Sequence, residues 1–332
     1  MGLFSKKDGG AKRVRLFYAT DVHGSERTFR KFLNCAKFYK VDHIIMGGDI
    51  MGKFLVPIVD EGGGHHRVSL QGTTEHFEGD DALAAIKERI ETLGFYHITV
   101  REDELHAMQA NQGEIDTVFH RLARERIERW IALADERLTD TPIKWYVTGG
   151  NDDPPDILTV FDEVQSEHVV NCEGRVVLFD DFYPMANCGH SNPTPWNTPR
   201  ETDEESLYRL LEQAVEGIDD FTSAIFNVHV PPYDCTLDEC PKLDWSTDPP
   251  SPVVVAGVPQ SAPAGSTAVR KNIEKYEPLL ALTGHIHESR GLVTIGRTTV
   301  INPGSEYGEG IIRGCIFTLQ PGKVVGYQMT SG

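Results

Sequence analysis

The stretch Val14-Arg15-Leu16-Phe17-Tyr18-Ala19-Thr20-Asp21-Val22-His23-Gly24 decides the fold. Val14 to Thr20 is apolar and β-prone, and the run stops at an Asp and a His two residues apart, which an extended backbone points the same way. Next, Phe29, Phe32, Leu33 and Ala36 fall on one helical face, and a second buried strand, His43 to Met46, ends at Gly47-Gly48-Asp49. Strand, loop, helix, strand is a β-α-β unit, so the chain reads as α/β.

From Gly52 to about Thr141 the rhythm changes. A hairpin, Val56 to Val59 and Val68 to Leu70 around Gly62-Gly63-Gly64, precedes amphipathic helices at Asp81 to Leu93 and Ile115 to Leu138, so residues 52–141 read as a helical and hairpin insertion. Its length leaves open a lid or an oligomer contact. The β-α pattern resumes at Ile143 to Thr148, which runs into Gly149-Gly150-Asn151-Asp152. Short strands follow at Val169 to Asn171, Val176 to Phe179 and Met185 to Cys188. A helix at Glu204 to Val215 then precedes the strand Ala224 to Val228, which delivers His229. Pro231 to Gly265, rich in Pro, Asp and Ser, reads as a long ordered loop or lid. A helix at Thr267 to Tyr276 and strands near Leu280 to Leu282, Leu292 to Ile295, Thr299 to Ile301, Gly314 to Leu319 and Val324 to Met329 complete the chain.

Five strands thus end in potential metal ligands: Asp21 and His23, Asp49, Asn151, His229, and His285 with His287. In an α/β protein the strand ends converge on one crevice, where ligands remote in sequence can meet. Glycines beside them let the backbone turn sharply and approach closely. Imidazole, carboxylate and amide donors without thiolate suit manganese, iron, zinc, cobalt or nickel.

These segments, in this order, resemble the signature of the calcineurin-like metallophosphoesterases, which run Asp-x-His, Gly-Asp, Gly-Asn-His, His and Gly-His-x-His. The Asn302-Pro303-Gly304-Ser305 turn is similar to that of bacterial and archaeal phosphodiesterase-like members, and places Asn302 to Gly308 at the rim of the site. The resemblance spans Asp21 to His287. It implies two mixed β-sheets packed as a sandwich flanked by helices, the αββα fold, as one domain over 13–332. It also implies two divalent metal ions, manganese favoured, one on Asp21, His23, Asp49 and His287 and the other on Asp49, Asn151, His229 and His285. The activity implied is hydrolysis of a phosphate ester by in-line attack of a hydroxide held between the metals. A phosphodiesterase, acting on a small substrate such as a nucleotide, is preferred to a phosphomonoesterase or to a non-catalytic metal-binding protein of the same fold.

One position departs from the family: Asp152 stands where many members have His. A general acid with a raised pKa, a ligand to a further ion or orienter of water, and a simple cap of the following turn are its open readings. Among substrate candidates, His190 and Arg200 can donate to an anion, and Asn192 lies in the same Pro-stiffened loop. Trp196 there can stack on a base, although pinning the loop is the weightier reading. For Arg200 an ion pair with the following acidic stretch is the competing reading, and Ser266, at the start of a helix, is open to an anion site or an N-cap.

The remaining composition narrows the partners. A chain of 332 residues with 39% hydrophobic content can bury a full core. With 50 Asp and Glu against 32 Lys and Arg, the net charge of −18 repels long nucleic acid. No segment reaches the roughly 20 apolar residues of a membrane span. Six scattered cysteines without framework spacing read as reduced thiols, which makes a cytoplasmic location the expectation. Residues 1–12 read as a flexible polar tail.

Overall fold

The computed structural model describes residues 13–244, 246–247 and 250–332; the tail expected at 1–12 lies outside them. β1 (Val14–Ala19) is buried except at Arg15. Ser25 then caps α1 (Glu26–Phe38) by accepting from the Thr28 N–H, and Phe29, Phe32, Leu33 and Ala36 are buried on its inner face. β2 (His43–Met46) pairs parallel to β1.

The segment that follows builds its own layer from β3 (Leu55–Gly62), β4 (His65–Leu70), β5 (Thr73–Glu78), α2 (Asp80–Thr92), β6 (Tyr96–Arg101), α3 (Glu102–Gln109) and α4 (Gln112–Leu138). Its sheet runs β5-β4-β3-β6, with Val56, Ile58, Val68 and Leu70 packed on Ile86 and Ile90 of α2. The expected hairpin is therefore two strands of four. α4 returns to the body, where Trp130 stacks on Phe29 at 4.0 Å between ring centroids.

The chain continues through β7 (Trp145–Val147), the short turns α5 (Pro155–Leu158) and α6 (Val160–Glu163), β8 (Val169–Asn171), β9 (Val176–Phe179), β10 (Tyr183–Cys188), α7 (Glu204–Ala214) and β11 (Ile225–Val228). The Pro-rich stretch after β11 holds three small ribbons. These pair β12 (Glu239–Pro241) with β17 (Ser261–Pro263), β13 (Leu243–Asp244) with β14 (Ser251–Pro252), and β15 (Val254–Val255) with β16 (Val258–Pro259). Then come α8 (Thr267–Tyr276), β18 (Leu280–Leu282), β19 (Gly291–Ile295), β20 (Thr298–Asn302), β21 (Arg313–Gln320) and β22 (Lys323–Ser331).

Two six-stranded mixed sheets result, ordered β22-β21-β1-β2-β7-β8 and β19-β20-β18-β11-β10-β9. Each has a run of parallel strands, β1, β2, β7 and β8 in the first and β10, β11, β18 and β20 in the second, with antiparallel strands on one flank of the first sheet and on both flanks of the second. The inner faces form one core: Leu16, Tyr18 and Ile45 of the first sheet share a buried cluster with Ile225, Leu280, Leu282 and Ile301 of the second. Alternate residues such as Phe17, Ile44 and Val147 face the helices instead. This is the helix-flanked sandwich that the family resemblance implies. The Tyr18 hydroxyl donates to the Thr283 carbonyl at 3.0 Å and links the sheets just below their carboxyl edge. All six cysteines are free, and among the described residues no helix is long and apolar enough to cross a membrane.

Candidate metal centre

Every candidate ligand lies in a loop that leaves the carboxyl end of a central parallel strand. Asp21 and His23 follow β1, Asp49 follows β2, Asn151 follows β7, His229 follows β11, and His285 and His287 follow β18. Strand pairing extends into these loops. The N–H groups of Asp21, His23 and Gly24 donate to the carbonyls of Gly48, Asp49 and Ile50 at 3.0, 2.9 and 2.7 Å. On the other sheet the His229 N–H donates to Cys188 and the Gly284 N–H to His229, at 3.0 and 2.8 Å. Asp21, His23, Asp49 and His285 take positive φ values of 54°, 39°, 48° and 67°. Left-handed backbone at non-glycine residues costs on the order of 1 kcal/mol each and concentrates where function requires it.

The loops bring ligand atoms of Asp21, His23 and His287 within 4.8 Å of one another, and likewise those of Asp49, His229 and His285. A third such trio joins His23 and Asp49 to Asp152. Two atoms test whether a cation fits. His229 Nδ1 lies 3.0 Å from the Gly47 carbonyl, which only accepts, so that nitrogen carries the proton and Nε2 turns a lone pair toward Asp49 Oδ2 at 3.4 Å and Asp21 Oδ1 at 3.8 Å. Asn151 Nδ2 donates to Thr198 Oγ1 at 2.8 Å, and that hydroxyl donates to Glu201 Oε1 at 2.8 Å, so the amide oxygen is the atom left facing inward. Asn151 Oδ1 and His229 Nε2 are both buried without a hydrogen-bond partner. Acceptors stranded among carboxylates cost about 1–3 kcal/mol apiece unless a cation sits between them. The donor set therefore fits metal.

The electrostatics agree. Burial opposes charge on His229, but Asp49 and then Asp21 outweigh it and lift its pKa to about 10, so without metal a proton occupies Nε2 and a cation binding there would displace it. Burial pushes the Asp21 carboxyl up, yet His287 and His229 pull it down to about 2. Asp49 is held well below the carboxylate range, with the His229 and His23 imidazoles overcoming burial. His285, buried and close to His229, falls to about 4 and stays neutral, as a ligand must.

Two residues outside the ligand set hold the loops. Asp153 accepts from the N–H groups of Gly150, Ile50 and Met51 at 2.7, 3.0 and 2.8 Å and so ties the loop after β7 to the loop after β2. Burial and then Asp49 push its carboxyl up to about 7, against those three donors. The buried Arg126 of α4 donates to the Gly24 and Phe95 carbonyls at 2.7 and 3.0 Å, which fastens the inserted layer to the Asp21–His23 loop.

Asp152 reaches the cluster too. Its N–H donates to Asp49 Oδ1 at 3.0 Å, and its Oδ2 lies 2.7 Å from Lys53 Nζ and 3.6 Å from His23 Nδ1. Burial and Asp49 raise its pKa while Lys53 opposes them. Sequence reading passed over Lys53, an isolated lysine with no motif around it. Tyr307, within the turn expected at the rim, sets its ring 4.6 Å from that of His23, and Ser305 Oγ donates to the Asp21 carbonyl at 2.6 Å.

The substrate candidates divide. Arg200 is buried and gives its guanidinium to Glu173 and, at 3.2 Å, to the Gly150 carbonyl, so it supports the Asn151 loop instead of meeting a phosphate. Ser266 is an N-cap, one of the two readings open for it. Its Oγ accepts from the Val269 N–H at 3.2 Å, and the Glu204 carboxylate already takes the Thr267 and Ala268 N–H groups at 3.2 and 2.8 Å, leaving that helix end no room for a ligand anion. His190 is half-buried beside Arg200, and burial with that neighbouring charge lowers its pKa to about 4. Asn192 Nδ2 donates to the Ala264 carbonyl at 3.3 Å. Trp196 lies on the loop with 69% of its surface exposed.

No protein-family model matches the chain. In sequence, the uncharacterized protein MJ1162 of Methanocaldococcus jannaschii is 32% identical over 151 residues, 45% of this chain and 59% of that one. The chain thus spans a little over half the length of that curated relative. In structure, TT1561 of Thermus thermophilus aligns with 97% of this chain and 99% of its own at 13% identity and a TM-score of 0.50. A further crystal structure aligns over the same shares at 15% identity with a TM-score of 0.56. At such identities the likeness is one of fold. The sandwich and the His/Asp cluster at its carboxyl edge together bear out the resemblance to the calcineurin-like metallophosphoesterases.

Proposed function

We propose that this chain is a dinuclear metal-dependent phosphoesterase, and within that class a phosphodiesterase acting on a small phosphate ester. Asp21, His23, Asp49 and His287 would hold one cation and Asp49, Asn151, His229 and His285 the other, with Asp49 shared. Imidazole, carboxylate and amide donors suit manganese, iron, zinc, cobalt or nickel, and manganese is the one we favour. The observation that carries the reading is the pair of buried, unpartnered acceptors, Asn151 Oδ1 and His229 Nε2, each turned inward by a hydrogen bond on its far side. Bound there, the metals would supply Lewis-acid polarisation of the phosphoryl group and acidify a water as nucleophile. The chain's own part is to fix geometry: Thr198 sets the amide, Gly47 sets the His229 tautomer, and Asp153 holds two ligand loops in register. Positive charge from the cations lets a small anion approach through an otherwise acidic surface.

The test is hydrolysis of a chromogenic phosphodiester and its matched monoester by chelator-stripped protein, before and after manganese is restored. Metal-dependent cleavage that favours the diester supports the proposal. Dominant monoester cleavage reassigns the chain to phosphomonoesterases, and metal-replete protein that cleaves neither makes it a binding protein of this fold.

A further inference from the structure

We propose that Lys53, at the entrance to the inserted layer, is the cation that contacts the phosphoryl oxygens of the substrate, and that Asp152 is the residue positioning it. The inference deepens the phosphoesterase reading and rests on it.

Lys53 is not placed by chance. The preceding Gly52 N–H donates to the Tyr96 hydroxyl at 3.0 Å, Tyr96 is buried, and the Arg126 guanidinium lies 4.5 Å from its ring centroid. From that fixed point the ammonium reaches Asp152 Oδ2 at 2.7 Å, and the Asp152 backbone is itself tied to Asp49. Its charge is felt at His23, Asp49 and Tyr307. An ammonium offers three donors, and one contact to a carboxylate oxygen occupies one of them. The Lys53 side chain remains 37% exposed against 14% for Asp152, so its other donors are open to solvent and to a ligand arriving from it.

The chemistry needs such a group. Negative charge spreads over the non-bridging phosphoryl oxygens in the transition state, and a cation already fixed beside them stabilises it without reorganising. Asp152, negative and at the position of the family's imidazole, would repel a phosphate unless its charge were answered. Lys53 both answers it and supplies the donor. No proton moves in this role, since the lysine stays charged throughout.

The experiment uses the full chain loaded with manganese and follows turnover of the chromogenic diester, binding of inorganic phosphate by calorimetry, and metal content. Lys53→Met is expected to lower kcat about 10–100-fold and weaken phosphate binding about tenfold or more, with metal content unchanged. Lys53→Arg restores part of both. Asp152→Asn lowers kcat with phosphate affinity largely kept, the split expected of a positioning residue. The variant carrying both Lys53→Met and Asp152→Asn stays low. Its return to wild-type rates would show that Lys53 merely neutralises Asp152, and would overturn the proposal. Unchanged kinetics in Lys53→Met, or loss of metal from it, would do the same. If the wild type fails to hydrolyse either ester but binds phosphate in a Lys53-dependent way, the phosphoesterase reading falls and the Lys53 contact stands. If it does neither, both fall.

Discussion

The two six-stranded sheets are built alike and contribute unlike chemistry. From the first come both carboxylates, the amide and one imidazole; from the second come His229, His285 and His287, imidazoles alone. Negative charge therefore sits on one half of the sandwich and most of the imidazole nitrogen on the other. A change in the first half alters the charge that draws cations in, and a change in the second removes a donor while leaving that charge in place.

The largest test of this asymmetry is Asp49→Asn beside His229→Ala. Asp49→Asn should abolish metal-dependent hydrolysis and lose both ions, read by metal analysis, with the circular dichroism of the fold retained. His229→Ala should also abolish hydrolysis but keep one ion. Wild-type rates in either variant would break the site assignment. Next is Thr198→Val, which frees the Asn151 amide to turn. Outer partners of ligands are typically worth about 10–100-fold in metal affinity, and a loss of that size is expected by competition with a chelator.

Two smaller predictions concern the joints between regions. Arg126→Met leaves the Gly24 and Phe95 carbonyls short of a donor and should cost about 2 kcal/mol in denaturant unfolding, with reduced metal affinity, because the Asp21–His23 loop loses its brace. Tyr18→Phe removes the hydroxyl that joins the sheets and should cost about 1 kcal/mol while leaving metal content unchanged. If Tyr18→Phe also released metal, the halves would be less independent in their contributions than the ligand count implies.

The sequence disclosed the body of the fold because its strands are short apolar runs that stop at glycine and a polar ligand, a signal carried entirely by neighbours in the chain. It disclosed less of the inserted layer. β5, Thr-Thr-Glu-His-Phe-Glu, faces solvent along most of its length and shows almost no apolar alternation to read. For Arg200 and Ser266 two readings stayed open in the sequence for one reason. Groups that attract a substrate anion attract a protein carboxylate equally well, and the carboxylates concerned, Glu173 and Glu204, lie 27 and 62 residues away. Lys53 was invisible for the converse reason, since its partner Asp152 enters from another strand end.

Contacts between the ligand loops of the two sheets bear on when a metal centre of the kind proposed could form. His285 donates its backbone N–H to Asp21 across 264 residues of chain, and His23 faces His287 across the same interval. During synthesis the ribosome releases the acidic loops of the first sheet long before the imidazoles that complete them, so a nascent chain can offer only an unfinished, low-affinity nest for passing cations. For the centre proposed, choice of metal would thus be deferred to the finished polypeptide, where it would become a matter of what the surrounding compartment supplies at that moment.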